Sequence, residues 1–180
     1  MGVLATIMKK YVTAYWLLPA KPERELFCEI IRILFKQFDA PNFDPHLTLL
    51  VTPHDRPAAK EVLRQIAASP IRLEVDRTGF SSKFTKTLFV RFKPNAALRK
   101  LVLNLARVTK SRKPAIRDPH VSLLYKTLPA RMKADLAATI RLPFRKVTFD
   151  SIQAVRLTLP VRKRADVKAW RPIAKRFLRK

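Results

Sequence analysis

The chain carries one heptapeptide twice, first as Asp44-Pro45-His46-Leu47-Thr48-Leu49-Leu50 and again as Asp118-Pro119-His120-Val121-Ser122-Leu123-Leu124. The copies are identical at five of seven positions and differ only by Leu/Val and Thr/Ser. Because side chains alternate between the two faces of a β-strand, each histidine shares a face with the hydroxyl residue that follows it by two positions. We therefore expect His46 with Thr48, and His120 with Ser122, to form a site backed by the apolar residues between them.

Each copy of the motif follows a segment with helical periodicity. Residues 22–38 place their apolar side chains on one helical stripe behind Pro22, which suits a first turn. Residues 95–108 do the same behind Asn95, a residue that commonly caps helices. The repeat of seven residues thus lies inside a looser repeat of helix and strand. This arrangement predicts two similar lobes that bring the motifs together across a cleft.

The rest of the chain alternates short strands with amphipathic helices and contains no linker, so we expect one bilobal domain over residues 1–180. The patterns predict strands at residues 15–18, 71–76, 87–92, 146–149 and 152–157, helices at 58–68 and 131–140, and an edge strand within 167–178. The predicted class is α+β, with two antiparallel or mixed sheets facing across a central cleft and helices outside.

The charge is large and unevenly distributed. The 38 Lys and Arg residues against 13 Asp and Glu residues leave a net charge of +25, of which residues 1–90 contribute +4 and residues 91–180 contribute +21. Basic clusters occur at residues 110–113, 145–146, 162–164 and 175–180. Such a polycation binds RNA by releasing counterions from phosphates. The alternative is a basic, solvated surface without a nucleic-acid partner.

Cysteine content and hydropathy indicate a cytoplasmic protein. The single cysteine, Cys28, has no partner for an internal disulfide and lies in an apolar helical segment, which favours a packed thiol. The apolar run at residues 2–8 is followed by Lys9 and Lys10, the reverse of a signal peptide's charge order. No segment approaches the roughly 20 apolar residues of a membrane span. We expect a monomer without membrane contact.

Two facing His-x-(Thr/Ser) pairs suit the hydrolysis of a phosphodiester. The reaction needs a base that deprotonates water, an acid that protonates the departing oxygen, and donors for the phosphoryl oxygens. Histidine fits both proton-transfer roles because its ordinary pKa of about 6.5 leaves both protonation states available near neutrality. The hydroxyls of Thr48 and Ser122 donate to the non-bridging oxygens, in bonds worth about 1.5 to 3 kcal/mol each. This scheme requires no metal and no other cofactor.

Other interpretations of the same residues are less favourable. A lone His-x-Thr in a strand is usually structural, but two copies in matched surroundings argue against that interpretation. A zinc site is disfavoured because neither motif has a Cys or Glu nearby, and Asp44 and Asp118 precede prolines as turn residues do. A serine hydrolase would need a Gly-x-Ser-x-Gly turn around Ser122, which is absent. His54 lies in a turn-forming run and is left outside the predicted site.

The motifs His46-Leu47-Thr48-Leu49 and His120-Val121-Ser122-Leu123 resemble those of the two-histidine phosphoesterase superfamily. The preceding prolines, the ending Ser122-Leu123-Leu124-Tyr125 and the early Tyr15-Trp16-Leu17-Leu18-Pro19 look like its cyclic phosphodiesterase branch, known from plants and fungi. The resemblance covers residues 12–178. It implies a bilobal fold with pseudo-twofold symmetry. It also implies metal-independent opening of a ribose cyclic phosphate to a phosphomonoester, at a 2′,3′-cyclic nucleotide, an RNA end or ADP-ribose 1″,2″-cyclic phosphate.

By the same resemblance, His46 and His120 form the acid/base pair, and Thr48 and Ser122 bind the phosphate. Which histidine is the acid and which the base stays open.

The resemblance also implies that Trp16 and Tyr125 flank the base or sugar, which suits aromatic stacking. Strict alternation points Tyr125 away from His120, so it reaches the site only if the strand twists or ends there. Lys83 and Phe84 precede a strand near the expected rim of the cleft and complete the candidate substrate contacts.

The charge departs from the family picture. A hydrolase of small nucleotides has little use for a net charge of +21 in its second half, whereas an enzyme that acts on RNA ends could recruit the strand with it. Two alternatives therefore stay open. One is a non-catalytic basic RNA-binding module on the same fold, and the other is the reverse, ligase-like reaction that joins RNA ends.

Overall fold

The structure is a computed structural model and describes residues 9–54, 58–111 and 118–179. The apolar run at residues 2–8 and the basic residues Arg112, Lys113 and Lys180 lie outside the described residues. Among the helices of the described ranges, none is long and apolar enough to cross a membrane.

The described chain alternates strands with helices along most of its length. In order, its elements are β1 (Lys10–Pro19), α1 (Glu23–Phe38), β2 (Leu47–Pro53), α2 (Ala59–Gln65), β3 (Ile71–Phe80), a 3₁₀ turn (Phe84–Lys86), β4 (Leu88–Lys93), α3 (Ala96–Val108), β5 (His120–Leu124), α4 (Ala130–Thr139), β6 (Lys146–Leu159), α5 (Arg164–Lys168) and β7 (Arg171–Phe177). The start of α3 follows from its sequence, because the Asn95 side chain accepts a hydrogen bond from the Leu98 amide at 2.9 Å.

The strands form one antiparallel sheet that closes on itself. Its order is β1-β2-β5-β4-β3-β6-β7, and an additional pairing of β1 with β6 closes the ring. β7 extends the sheet beside β6. The α+β class and the antiparallel pairing are confirmed. The two predicted sheets are joined into one at two places, where β2 meets β5 at Leu47 and Val121 and where β3 meets β6 over residues 71–74.

A pseudo-twofold relation connects the two halves. The order β1, α1, β2, α2, β3 recurs as β4, α3, β5, α4, β6, and β1 pairs with β2 as β4 pairs with β5. The axis passes between β2 and β5, where Leu47 lies opposite Val121. Each of these residues directly follows a motif histidine. Because the pairing is antiparallel, His46 falls opposite Ser122 and His120 opposite Thr48, so the two histidines lie diagonally across the axis on neighbouring strands.

The two faces of the sheet differ. On one face, Leu47 and Val121 join a core that includes Phe27 of α1 and Leu98 of α3, so both long helices cover this face. On the other face, a smaller apolar cluster of β1 and β6 packs against Val161 and Trp170; its buried members are Val12, Ala14, Trp16, Leu18, Val155 and Leu157. Alternation along the strands places the motif histidines and hydroxyls on this second face.

Several element boundaries differ from the sequence-based expectation. β1 begins at Lys10, five residues before the predicted start, and pairs with β6 from that residue onward. The strands predicted at residues 146–149 and 152–157 are one strand, β6, because a bulge opposite Leu18 and Pro19 absorbs the polar residue Asp150 without breaking the ladder. β3 runs four residues further than predicted, to Phe80, through its pairing with β4. α2 ends at Gln65, before the predicted limit. The predicted edge strand at the C-terminal end is confirmed as β7, which accommodates Pro172.

Candidate active site

Both motif histidines are held by the same local hydrogen bond. His46 Nδ1 lies 2.6 Å from the Asp44 carbonyl oxygen, and His120 Nδ1 lies 2.7 Å from the Asp118 carbonyl oxygen. A carbonyl only accepts hydrogen bonds, so Nδ1 carries the proton in each ring. The Asp-Pro-His turn therefore leaves Nε2 as the free nitrogen of both histidines. In the neutral rings it is a base, and once protonated it is an acid.

His46 lies in an aromatic environment. Its ring stacks on Trp16 with centroids 3.7 Å apart and an interplanar angle of 15°. Trp170 approaches the same ring edge-on at 5.8 Å. Burial among these rings lowers the pKa of His46 from 6.5 to about 4, and the Asp44 carbonyl opposes only part of that effect. His46 is therefore neutral at pH 7 in the free protein.

His120 lies in a cationic environment instead. Burial, the largest cause, and the charges of Lys86, Arg91 and Lys83 together lower its pKa from 6.5 to about 4. The Asp118 carboxylate binds two of these cations: Arg91 Nε donates to it at 2.6 Å, and Lys86 Nζ donates to its other oxygen. The two histidines thus have the same protonation state for partly different reasons.

The two motif hydroxyls differ in exposure. Thr48 is exposed, whereas Ser122 is buried. The Ser122 hydroxyl donates to the Thr85 carbonyl oxygen at 2.9 Å. Since a hydroxyl has a single proton, Ser122 must rotate away from Thr85 before it can donate to a ligand.

One small cavity of about 160 Å³ brings the four motif residues together. His46, Thr48, His120 and Ser122 all line it, along with the predicted contacts Trp16 and Tyr125. Two larger cavities, of about 570 and 940 Å³, contain neither histidine. The small cavity is the candidate active site, because it alone among these three combines histidines with hydroxyl donors.

Tyr125 enters this cavity because β5 ends at Leu124, one residue before it. Its ring stacks on Phe43 with centroids 4.1 Å apart. Burial raises the pKa of the phenol, so Tyr125 remains protonated.

The other predicted contacts do not all line the cavity. Phe84 lies behind Tyr125, with ring centroids 6.1 Å apart. Lys83 is exposed and influences the site through its charge on His120. Trp16 lines the cavity, but His46 covers one face of its ring and Trp170 meets it edge-on at 5.0 Å. In this structure Trp16 therefore packs against the imidazole ring of His46, and that face of the indole is not available to a ligand.

Sequence reasoning missed Thr85, Trp170 and the apolar residues of the cavity wall, which are Ala14, Val51, Leu157, Leu159 and Val161. Trp170 lies between α5 and β7, more than forty residues after the second motif, and its indole N–H is buried without a hydrogen-bond partner among the described atoms. The signal in the sequence is a lone Trp within a strongly basic segment. Thr85 contributes a backbone carbonyl, which no residue type predicts.

The residues set aside in the sequence lie away from the cavity. His54 Nδ1 is 3.2 Å from the Thr13 hydroxyl, and His54 does not line the candidate site. Burial raises the pKa of the half-buried Cys28 thiol, as expected of a packed cysteine. Within the described parts of the chain, no three His, Cys, Asp or Glu side chains are grouped as a metal site requires.

Comparison with known proteins identifies the family of the chain. A family model described as the 2′-5′ RNA ligase superfamily matches residues 18–159, a span that contains both His motifs. The chain belongs to this superfamily, that of the two-histidine phosphoesterases. Membership supports an enzyme that acts on phosphodiester bonds. No curated protein sequence matches the chain.

Solved structures of the superfamily share the fold. LigT of Escherichia coli in its apo form is 16% identical, with a TM-score of 0.58 over 96% of this chain and 100% of that one. LigT has also been solved in complex with 3′-AMP, and that structure gives a TM-score of 0.57 at 15% identity over 96% and 100% of the chains. The protein TT0787 of Thermus thermophilus is 18% identical, with a TM-score of 0.56 over 93% and 98%. At these identities the likeness establishes the fold alone.

Proposed function

We propose that this superfamily member is a metal-independent cyclic phosphodiesterase that opens a ribose cyclic phosphate to a phosphomonoester. The observation that carries the proposal is the pair of histidines in one cavity, each with Nδ1 bonded to a backbone carbonyl and Nε2 left free. The candidate substrates are a 2′,3′-cyclic nucleotide, an RNA end of the same chemistry, and ADP-ribose 1″,2″-cyclic phosphate.

The reaction uses the histidines in opposite roles. One neutral imidazole accepts a proton from water through Nε2 as the water oxygen attacks phosphorus. The bond between phosphorus and one ribose oxygen breaks, and the second histidine, protonated at Nε2, gives its proton to that oxygen. The products are a phosphomonoester and a free ribose hydroxyl. One histidine has gained a proton and the other has lost one, so the number of protons on the two rings is unchanged.

The hydroxyls stabilise the phosphoryl group as its charge changes. The exposed Thr48 lines the cavity. The Ser122 hydroxyl can donate into the cavity once it gives up its hydrogen bond to the Thr85 carbonyl oxygen. Each donates to a non-bridging oxygen. Trp16, Tyr125 and the newly found Trp170 form the aromatic wall against which the base or sugar packs, and the buried indole N–H of Trp170 is an available donor to the ligand.

The direct test is turnover by the wild-type protein in the presence of excess EDTA. We expect hydrolysis of 2′,3′-cyclic AMP or of an RNA oligomer ending in a 2′,3′-cyclic phosphate, at rates that EDTA leaves unchanged, because both proton transfers are assigned to histidines. ADP-ribose 1″,2″-cyclic phosphate completes the panel. Turnover of none of the three, or turnover abolished by EDTA and restored by a divalent cation, would contradict the proposal.

The pH dependence of catalysis offers an independent check. In the free protein the pKa of each histidine is lowered to about 4, so the fraction that carries the acid's proton falls by about tenfold per pH unit above that value. We expect kcat/KM to rise steadily as the pH is lowered from about 8 to about 5, because kcat/KM reports the free enzyme.

The profile of kcat should lie at higher pH than that of kcat/KM. A bound phosphodiester places a negative charge beside both rings, which raises their pKa values and keeps the acid protonated. If the pH profiles of kcat and kcat/KM superimpose and both break near 6.5, the ordinary histidine pKa, burial does not set the pKa values of these histidines.

A non-catalytic RNA-binding module is the second candidate, favoured by the net charge of +25. It predicts RNA affinity that falls steeply with salt and does not depend on His46 or His120. The reverse reaction, which joins RNA ends, would use the same acid and base and would therefore depend on His46 and His120 in the same way.

A further inference from the structure

The pseudo-twofold relation between the halves does not extend to the charged residues beside the site. His120 is paired across the sheet with Arg91 of β4, which in turn is paired with Arg77 of β3. The equivalent positions in the first half are Leu18 of β1 and Ser151 of β6, a pair that is uncharged and fully buried. Within the described residues, the second half thus continues from His120 into a row of two cations on the face of the sheet that carries the site, and the equivalent positions of the first half do not.

The row extends away from His120 at a regular spacing. Neighbouring strands lie about 4.8 Å apart, so the backbones of Arg91 and Arg77 are about 5 and 10 Å from that of His120. Arg91 is tied to the Asp118 carboxylate. Arg77 is exposed and forms no salt bridge with any residue in the described ranges.

The opposite side of the site is closed. Val161 and Trp170, from the connection between β6 and β7, pack over the apolar cluster of β1 and β6 that includes Trp16 and Leu18. A ligand longer than one nucleotide cannot continue across that covered surface. The charged side, over β4 and β3, is where the rest of such a ligand finds favourable contacts.

We propose that Arg91 and Arg77 bind the phosphates that precede the terminal cyclic phosphate of an RNA strand, so that the preferred substrate is an oligonucleotide end rather than a mononucleotide. Phosphates in a stacked strand are spaced by about 3.4 Å along the axis, and by more when the bases unstack, so two cations at these distances meet different phosphates. This inference rests on the proposed function and specifies its substrate class.

The test measures kcat/KM for 2′,3′-cyclic AMP and for an RNA trinucleotide ending in a 2′,3′-cyclic phosphate. Arg77→Gln is the informative variant, because Arg77 is exposed and is not tied to Asp118 as Arg91 is. We expect it to lower kcat/KM for the trinucleotide by about tenfold, the effect of one lost bond to a charged group, and to change that for cyclic AMP by less than about twofold. Arg77→Lys should retain most of the trinucleotide activity.

Arg99→Gln is the matched control. It removes one positive charge from an exposed position of α3, the helix that packs on the other face of the sheet. We expect it to leave both substrates unaffected.

Equal losses on both substrates for Arg77→Gln, no loss on either, or the same trinucleotide loss in Arg99→Gln would overturn the inference and leave the proposed function standing. Absence of turnover of both substrates by the wild type would instead overturn the proposed function, and with it the substrate assignment.

Discussion

Replacing His46 or His120 by alanine is expected to reduce turnover of a 2′,3′-cyclic phosphate by about 10²- to 10⁴-fold in each case. Each substitution removes one of the two Nε2 atoms that exchange protons with water and with the departing oxygen. Because the two roles belong to one reaction step, the double variant should lose less than the product of the single effects. Initial rates at saturating and at low substrate measure both kcat and kcat/KM.

Loss of activity must be separated from loss of the fold, because His46 is buried against Trp16. His46→Gln keeps more of the side-chain volume and should be as inactive as His46→Ala. His54→Ala is the matched control, since the third histidine of the chain does not line the cavity, and it should keep wild-type turnover. Activity within about fivefold of wild type in either motif variant would contradict the acid/base assignment.

Replacing Trp16 by alanine is expected to lower the free energy of unfolding by about 3 to 5 kcal/mol. The Trp16 side chain is 4% exposed, stacks on His46 and belongs to the apolar cluster of β1 and β6. Its removal leaves a cavity that the closed sheet cannot collapse to fill, because β1 is paired on both sides along its length. Urea unfolding followed by circular dichroism measures the change.

Tyr11→Ala provides the matched control for this experiment. Tyr11 is an aromatic residue of the same strand, but it is 65% exposed, so its removal should change stability by less than about 0.5 kcal/mol. Trp16→Phe keeps a ring against His46 and should fall between the two. A loss of less than about 1.5 kcal/mol for Trp16→Ala would mean that the aromatic packing around His46 contributes little to the fold.

The sequence by itself determined the features that depend on local chemistry. The period of two in the motifs places each histidine with its hydroxyl, and the structure keeps all four residues in one cavity. The Asn95 cap and the apolar stripe after it are sufficient to define α3, because a helix start requires an acceptor for its first amides. The paired motifs also identified the superfamily, which the family match confirms.

Only the tertiary structure decided which distant residues complete the site. The pairing of Leu47 with Val121, which places each histidine opposite the hydroxyl residue of the other motif, is a long-range register that no local pattern specifies. Trp170 reaches His46 because the β1–β6 pairing closes the sheet, and Arg77 lines up with His120 because the registers of β3 with β4 and of β4 with β5 place Arg91 opposite both. The continuity of β6 through Asp150 likewise depends on a bulge at that residue, opposite Leu18 and Pro19 of β1. Local sequence encodes which side chains share a face, whereas closure of the sheet decides which faces meet.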